Sequence, residues 1–117
     1  MTTRNTAPGG AAPTVVVLTY NEARNLDACL RSVASWAARV FIVDSGSTDR
    51  TAEVAAAAGA RVVRRDDVLS HIEPVRGKGE AMWRSLAATS GDIVVFIDAD
   101  LQSFTPSYVT GLLGPLL

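Results

Sequence analysis

Two aspartates one residue apart, Asp98-Ala99-Asp100, follow the most apolar run in the chain, Ile93-Val94-Val95-Phe96-Ile97. The run is continuous and β-branched, which predicts a buried parallel strand. Carboxylates just past the carboxyl end of such a strand lie where open α/β sheets bind ligands. Hard oxygen donors there suit Mg²⁺ or Mn²⁺ shared with a phosphate; zinc would want His or Cys. Three more segments carry chemistry. In Leu18-Thr19-Tyr20-Asn21-Glu22, Tyr20 and Glu22 are placed to contact a nucleotide, although Glu22 also suits a helix dipole. In Asp44-Ser45-Gly46-Ser47-Thr48-Asp49, Ser47 or Asp49 caps a helix. Asp44, at a strand end, can accept from a nucleobase N–H or a ribose hydroxyl. Arg76-Gly77-Lys78-Gly79-Glu80 lacks the P-loop spacing, yet its glycines, Lys78 and a helix N-terminus suit an anion. The alternative is a flexible basic loop held by Glu80.

These segments need strands and helices to place them. Apolar β-branched runs at Thr14–Thr19, Val40–Val43 and Ile93–Ile97, with a weaker one at Arg61–Arg64, predict four strands. Between them, Leu26, Cys29, Leu30, Val33 and Trp36 fall on one face of a helix from Glu22 to Trp36, with Asn21 as N-cap. An alanine-rich helix from about Asp49 to Ala58 stops at Gly59. Met82, Trp83, Leu86 and Ala87 give the buried face of a third helix, from about Gly79 to Ser90. Alternating strands and helices with short connections imply right-handed crossovers: an α/β class, Rossmann-like parallel sheet with flanking helices. The long polar stretch Asp66–Lys78 reads as a functional loop. Residues 1–13 read as a disordered tail and 14–117 as one domain. A last apolar helix, with Val109, Leu112, Leu113, Leu116 and Leu117, wants cover from a C-terminal half or a homo-oligomer partner, so the chain reads as truncated.

The 117 residues suffice for one core. A net charge of -1 speaks against nucleic-acid binding. Arg61, Arg64 and Arg65 are followed at once by Asp66 and Asp67 and read as a solvated strand end. The single cysteine, Cys29, allows no internal disulfide and reads as a buried thiol. No secretory signal or transmembrane run is visible, so a cytoplasmic protein is expected. His71, the only histidine, reads as exposed and incidental, and Trp36 and Trp83 as core.

The order of the segments resembles the nucleotide-binding half of family-2-type glycosyltransferases with a GT-A fold. The nearer resemblance is to glucosyl-3-phosphoglycerate synthases. It rests on Asp44–Asp49, Ala58–Val63, Gly91–Asp98, the ending Gly-Leu-Leu-Gly-Pro-Leu-Leu and, most specifically, Gly77-Lys78-Gly79-Glu80-Ala81-Met82-Trp83-Arg84-Ser85. The resemblance implies that Leu18, Thr19, Tyr20 and Glu22 line a uridine pocket and that Ser45 contacts the nucleotide. It implies that Lys78 reaches the diphosphate, that Asp98 and Ala99 meet ribose and phosphates, and that Asp100 binds the metal. The implied activity is transfer of glucose from UDP-glucose, with Mg²⁺ or Mn²⁺, to 3-phosphoglycerate with retention. No residue is assigned as catalytic. The family's usual serine between the aspartates is Ala99 here, and its acceptor site and histidine metal ligand are expected in a C-terminal half. A polyprenyl phosphate acceptor, or a truncated non-catalytic nucleotide-binding remnant, are the other readings.

Overall fold

The computed structural model describes residues 13–34, 37–90 and 93–100. Residues 1–12 of the expected tail, the last helix and Trp36 lie outside them; Pro13, expected in the tail, is buried and its carbonyl accepts from the Ala38 amide. The elements run β1 (Thr14–Thr19), α1 (Ala23–Val33), β2 (Arg39–Asp44), α2 (Thr51–Ala57), β3 (Arg61–Arg64), a 3₁₀ turn at Arg65–Asp67, α3 (Lys78–Ala88) and β4 (Val94–Asp98). All four expected strands are present, within a residue or so of their expected ends.

The sheet is wholly parallel, in the order β3-β2-β1-β4. Chain progress from β1 to β3 adds strands on one side. β4 then joins β1 on the other, so the winding reverses between β1 and β4. Such a reversal splays the connecting segments apart and opens a crevice at the carboxyl ends of the strands. The register aligns those ends: Thr19 pairs with Asp44, Asp44 with Arg64, and Leu18 with Asp98. Four separated segments thus emerge along one edge.

The central strands are buried on both sides, which is why β1 reads Val15-Val16-Val17 without alternation. Val15, Val17, Ile42, Val95 and Ile97 pack with Leu26, Cys29, Leu30 and Val33 of α1 and Ala55 of α2. Val16, Phe41 and Val43 form a smaller cluster of their own. A right-handed crossover from β3 back past β1 sends α3 to the face opposite α1 and α2. Each fully buried Leu or Val contributes about 1.5–3 kcal/mol against exposure. Cys29 is a buried free thiol, as expected, and burial, with the Glu22 carboxylate adding to it, pushes its pKa up to about 11. It is no nucleophile at neutral pH.

The face of α3 differs from expectation. Its buried residues are Ala81, Arg84 and Ser85, while Trp83 is 50% and Leu86 54% exposed. The apolar periodicity is overridden by one charge: the Arg84 guanidinium is fully buried because its N–H groups find acceptors there. It donates to the Glu80 carboxylate at 2.6 Å and to the carbonyls of Val68, Leu69 and Ile72 at 2.6, 3.0 and 2.9 Å. A buried charge with that set of partners is tolerable; without them it would not be.

Candidate active site

The loops after β1 and β2 are built from each other. Asn21 was the expected N-cap of α1. It sits instead at φ 54°, turned away from its own helix, and its Oδ1 accepts from the amides of Thr48 at 2.8 Å and Asp49 at 3.3 Å. In return, α1 is capped from the neighbouring loop. The amide of Glu22 donates to the Thr51 hydroxyl, and that of Ala23 to the Asp49 carboxylate. Asp49 also accepts from the amide and hydroxyl of Thr51, at the start of α2. The Asp49 half of the capping expectation therefore fits. The hydroxyl of Thr51, with the amides of Thr51 and Ala23, holds the Asp49 carboxyl below the ordinary aspartate value. Ser47 accepts from the amide of Asn21 and donates to Asp44.

Asp44 is the hub of this network. It is 7% exposed. Its carboxylate accepts from the hydroxyls of Thr19 (2.7 Å) and Ser47 (2.5 Å) and from the amides of Gly46 (3.1 Å) and Ser47 (2.8 Å). Burial pushes its carboxyl pKa up, but the Ser47 and Thr19 hydroxyls and the two amides outweigh that and leave it lowered. Gly46, at φ 92°, makes the turn that brings both amides round. The amide of Ser45 bonds the Thr19 carbonyl at 2.9 Å, extending the β1–β2 ladder by one rung.

The opposite wall is exposed and charged. Lys78 opens α3 directly after Gly77, whose φ of 125° suits no other residue well. Its ammonium pairs with Asp98 at 2.5 Å, with the two side chains 60% and 49% exposed. Ala99 is 4% exposed and belongs to the core. Asp98 and Asp100 on either side of it are exposed. Burying the middle residue turns both acids outward, as the spacing implies.

Between the two walls lies an open cleft of about 630 Å³, lined by Leu18, Thr19, Tyr20, Glu22, Ser45, Arg65, Arg76, Gly77, Lys78, Ala81, Asp98, Ala99 and Asp100. Its volume is in the range of about 300–1,000 Å³ usual for small-molecule sites. Of the residues expected to bind the nucleotide or the metal, only Asp44 does not line it; its acceptors are turned into the loop. Arg65 is the residue sequence reasoning missed. It was expected to be solvated, yet its side chain is only 15% exposed, held by Asp66 and by the carbonyl of Val75. Position at a strand's carboxyl end was the signal available for it. His71 is exposed and lies outside the cleft. A second hollow of about 560 Å³, lined by Leu30, Phe41 and Arg61 among others, has no carboxylate, histidine or nucleophile in its lining.

The donors fit a hard divalent cation. Among the described residues no three His, Cys, Asp or Glu side chains are grouped to hold a metal. One or two carboxylates, with water and phosphate oxygens completing the sphere, is how Mg²⁺ is usually held at nucleotides. Among the described residues, Asp98 pairs with Lys78 while Asp100 enters no ion pair.

Known proteins resemble this arrangement over most of its length. Glucosyl-3-phosphoglycerate synthase from Mycobacterium tuberculosis is 48% identical, over 95% of this chain and 36% of its own length. The synthase of the same name from Mycolicibacterium smegmatis is 43% identical, over 95% and 38%. The crystal structure of the M. tuberculosis synthase with Mn²⁺, uridine diphosphate and glucosyl-3-phosphoglycerate superposes with a TM-score of 0.87 at 45% identity, covering 97% of this chain and 42% of that one. Its complex with Mg²⁺ and uridine diphosphate gives a TM-score of 0.86, also at 45% identity and over the same shares. The chain thus spans little more than a third of the length of these curated relatives. The sequence model of glycosyl transferase family 2 matches residues 14–116, and this chain belongs to that family.

Proposed function

We propose that this chain forms the donor-binding part of a retaining glucosyltransferase, which moves glucose from UDP-glucose to 3-phosphoglycerate with Mg²⁺ or Mn²⁺. The observation that carries this reading is the cleft itself. Residues from all four strand ends and the start of α3 meet there, bringing apolar and aromatic groups together with a lysine, two arginines and three carboxylates. Relatives at 43–48% identity bear the synthase name, and the M. tuberculosis enzyme has been crystallised with Mn²⁺, UDP-glucose and phosphoglyceric acid. The single cysteine, buried as a free thiol, accords with a cytoplasmic setting.

In this reading Leu18, Thr19, Tyr20, Glu22 and Ser45 seat the uridine, with Asp44 fixing Thr19, Gly46 and Ser47 from behind. Lys78 leaves Asp98 for the diphosphate, and Asp98 turns to the ribose side. The first amides of α3 add partial positive charge facing the same phosphates. Asp100 would hold the divalent ion, which when bound supplies Lewis-acid stabilisation of the departing diphosphate. No carboxylate of the described cleft is proposed as a nucleophile. Retention then follows from acceptor attack on the face from which the diphosphate leaves.

Calorimetric titration with UDP tests the reading. Binding in the presence of Mn²⁺ is expected, and Asp100→Ala is expected to weaken it about tenfold or more, the scale of losing a charged ligand contact. No binding by the unaltered chain, or binding indifferent to Asp100→Ala, would overturn it.

A further inference from the structure

The segment between the 3₁₀ turn and α3 has little to hold it. Residues 70–79 are all exposed. Val68 is buried, but Ile72 and Val75 are 37% and 63% exposed. Yet this segment delivers Arg76, Gly77 and Lys78 to the cleft and borders Arg65. Apolar packing does not fix its path. Its interior attachment is Arg84, one turn along α3 from cleft-lining Ala81. One guanidinium collects three carbonyls spread over five residues of the segment, Val68, Leu69 and Ile72, and is itself anchored by Glu80. The side chain is fully buried, and the Trp83 ring lies 5.8 Å from its central carbon. No buried side-chain polar atom among the described residues lacks a partner, so the clamp is closed. Leu69, at φ 54°, is in the left-handed region that a leucine seldom adopts, and its carbonyl is one of those held. The segment therefore follows a path it would not choose unaided.

We propose that Arg84 is a positioning residue of the cleft. It fixes the path of residues 68–72 against α3 and so sets where Arg76, Gly77 and Lys78 stand relative to the acids after β4. The role in ligand binding rests on the nucleotide reading above; the clamp on the loop does not. A planar fork suits the task because three carbonyls at different heights need donors in fixed directions. A lysine ammonium offers one centre and fewer donors.

The test compares Arg84→Met and Arg84→Lys with Leu26→Ala, which destabilises the core beneath α1 without touching the loop. Trypsin digestion under native conditions reads the clamp, since Arg76 and Lys78 are exposed cleavage sites. Arg84→Met is expected to speed the first cut within residues 65–78 about tenfold, with Arg84→Lys between it and the parent chain. Leu26→Ala is expected to give no preference for that segment. UDP titration with Mn²⁺ reads the consequence. Affinity should fall about tenfold in Arg84→Met, recover in part in Arg84→Lys, and stay unchanged in Leu26→Ala. If Arg84→Met and Arg84→Lys match Leu26→Ala in cleavage pattern, the clamp is refuted. Faster loop cleavage with unchanged UDP affinity refutes the link to the cleft. Failure of the parent chain to bind UDP would instead count against the nucleotide reading, and the protease rates would still judge the clamp.

Discussion

The two walls of the cleft are built on opposite plans. On the side of β1 and β2, Asp44, Asn21 and Asp49 accept from amides and hydroxyls of both loops, and the loop before α2 also caps α1. Across from them, the wall of α3 and the β4 end shows exposed charges and one exposed ion pair, Lys78 with Asp98. The first wall is preorganised and has no spare capacity in its hub. The second keeps its charges in water, where exchanging partners costs little. A flat, uncharged ligand part gains from rigid walls that need no reordering on binding. A metal and a diphosphate need charges that can be redirected toward them. On the proposed reading, recognition and charge handling would be separated by how completely the polar groups are satisfied before any ligand arrives.

The sharpest way to break this contrast is at Asp44. Asp44→Ala strands two part-buried amides and two hydroxyls, and is expected to destabilise the fold by about 2–4 kcal/mol, measured by urea unfolding. A loss below about 1 kcal/mol would mean that the first wall is not held by its hub. The pH dependence adds a signed check. The folded Asp44 pKa lies below the ordinary value of about 4 that applies when unfolded. The ionised carboxylate therefore contributes stability that is fully present above that unfolded value and is lost as pH falls through the lower, folded one. The stability gap between the parent chain and Asp44→Asn should be constant near neutrality and close below about pH 4. A gap that widened on acidification would reverse the assignment.

The same contrast explains what could be read from the chain alone. Strands showed plainly because β1 and most of β2 are buried on both faces, and β4, buried on one face and half-buried on the other, carries the same apolar run. Cleft residues showed because strand ends, glycines and acids mark α/β ligand sites wherever they occur. Asn21, Arg65 and Arg84 did not. Each acts through polar contacts to residues far along the chain: Asn21 to the loop at Thr48, Arg84 to carbonyls 12–16 residues back. Hydropathy treats all three as surface residues. Periodicity then chose the wrong face of α3, because a saturated guanidinium inside outweighed Trp83 and Leu86 outside.

A middle-sized effect is expected at Asn21. Asn21→Ala removes the acceptor for Thr48 and Asp49 and puts a β-carbon without a local partner at φ 54°. The expected cost is about 1–2 kcal/mol. Asn21→Gly loses the same acceptor but not the backbone fit, so it should cost less than alanine by up to about 1 kcal/mol. Equal costs, read by thermal unfolding, would show that the cross-loop bonds alone matter.

The smallest stability effect belongs to Lys78, and it separates the walls most cleanly. Its pair with Asp98 is short but exposed, and such pairs contribute about 0–1 kcal/mol after solvent screening and side-chain entropy. Lys78→Met should therefore leave the unfolding midpoint almost unmoved, with a change within about 0.5 kcal/mol. Its effect on ligand should be out of proportion to that. The charge left in the free protein is idle in energetic terms, whereas a diphosphate facing it would lose a charge-assisted hydrogen bond, expected to weaken UDP binding about tenfold. Unfolding by urea and UDP titration on the same sample give both numbers. A stability loss comparable to that of Asn21→Ala would make Lys78 part of the scaffold and dissolve the division between the walls. A stable protein that binds UDP poorly would show that the second wall keeps its charges for the ligand.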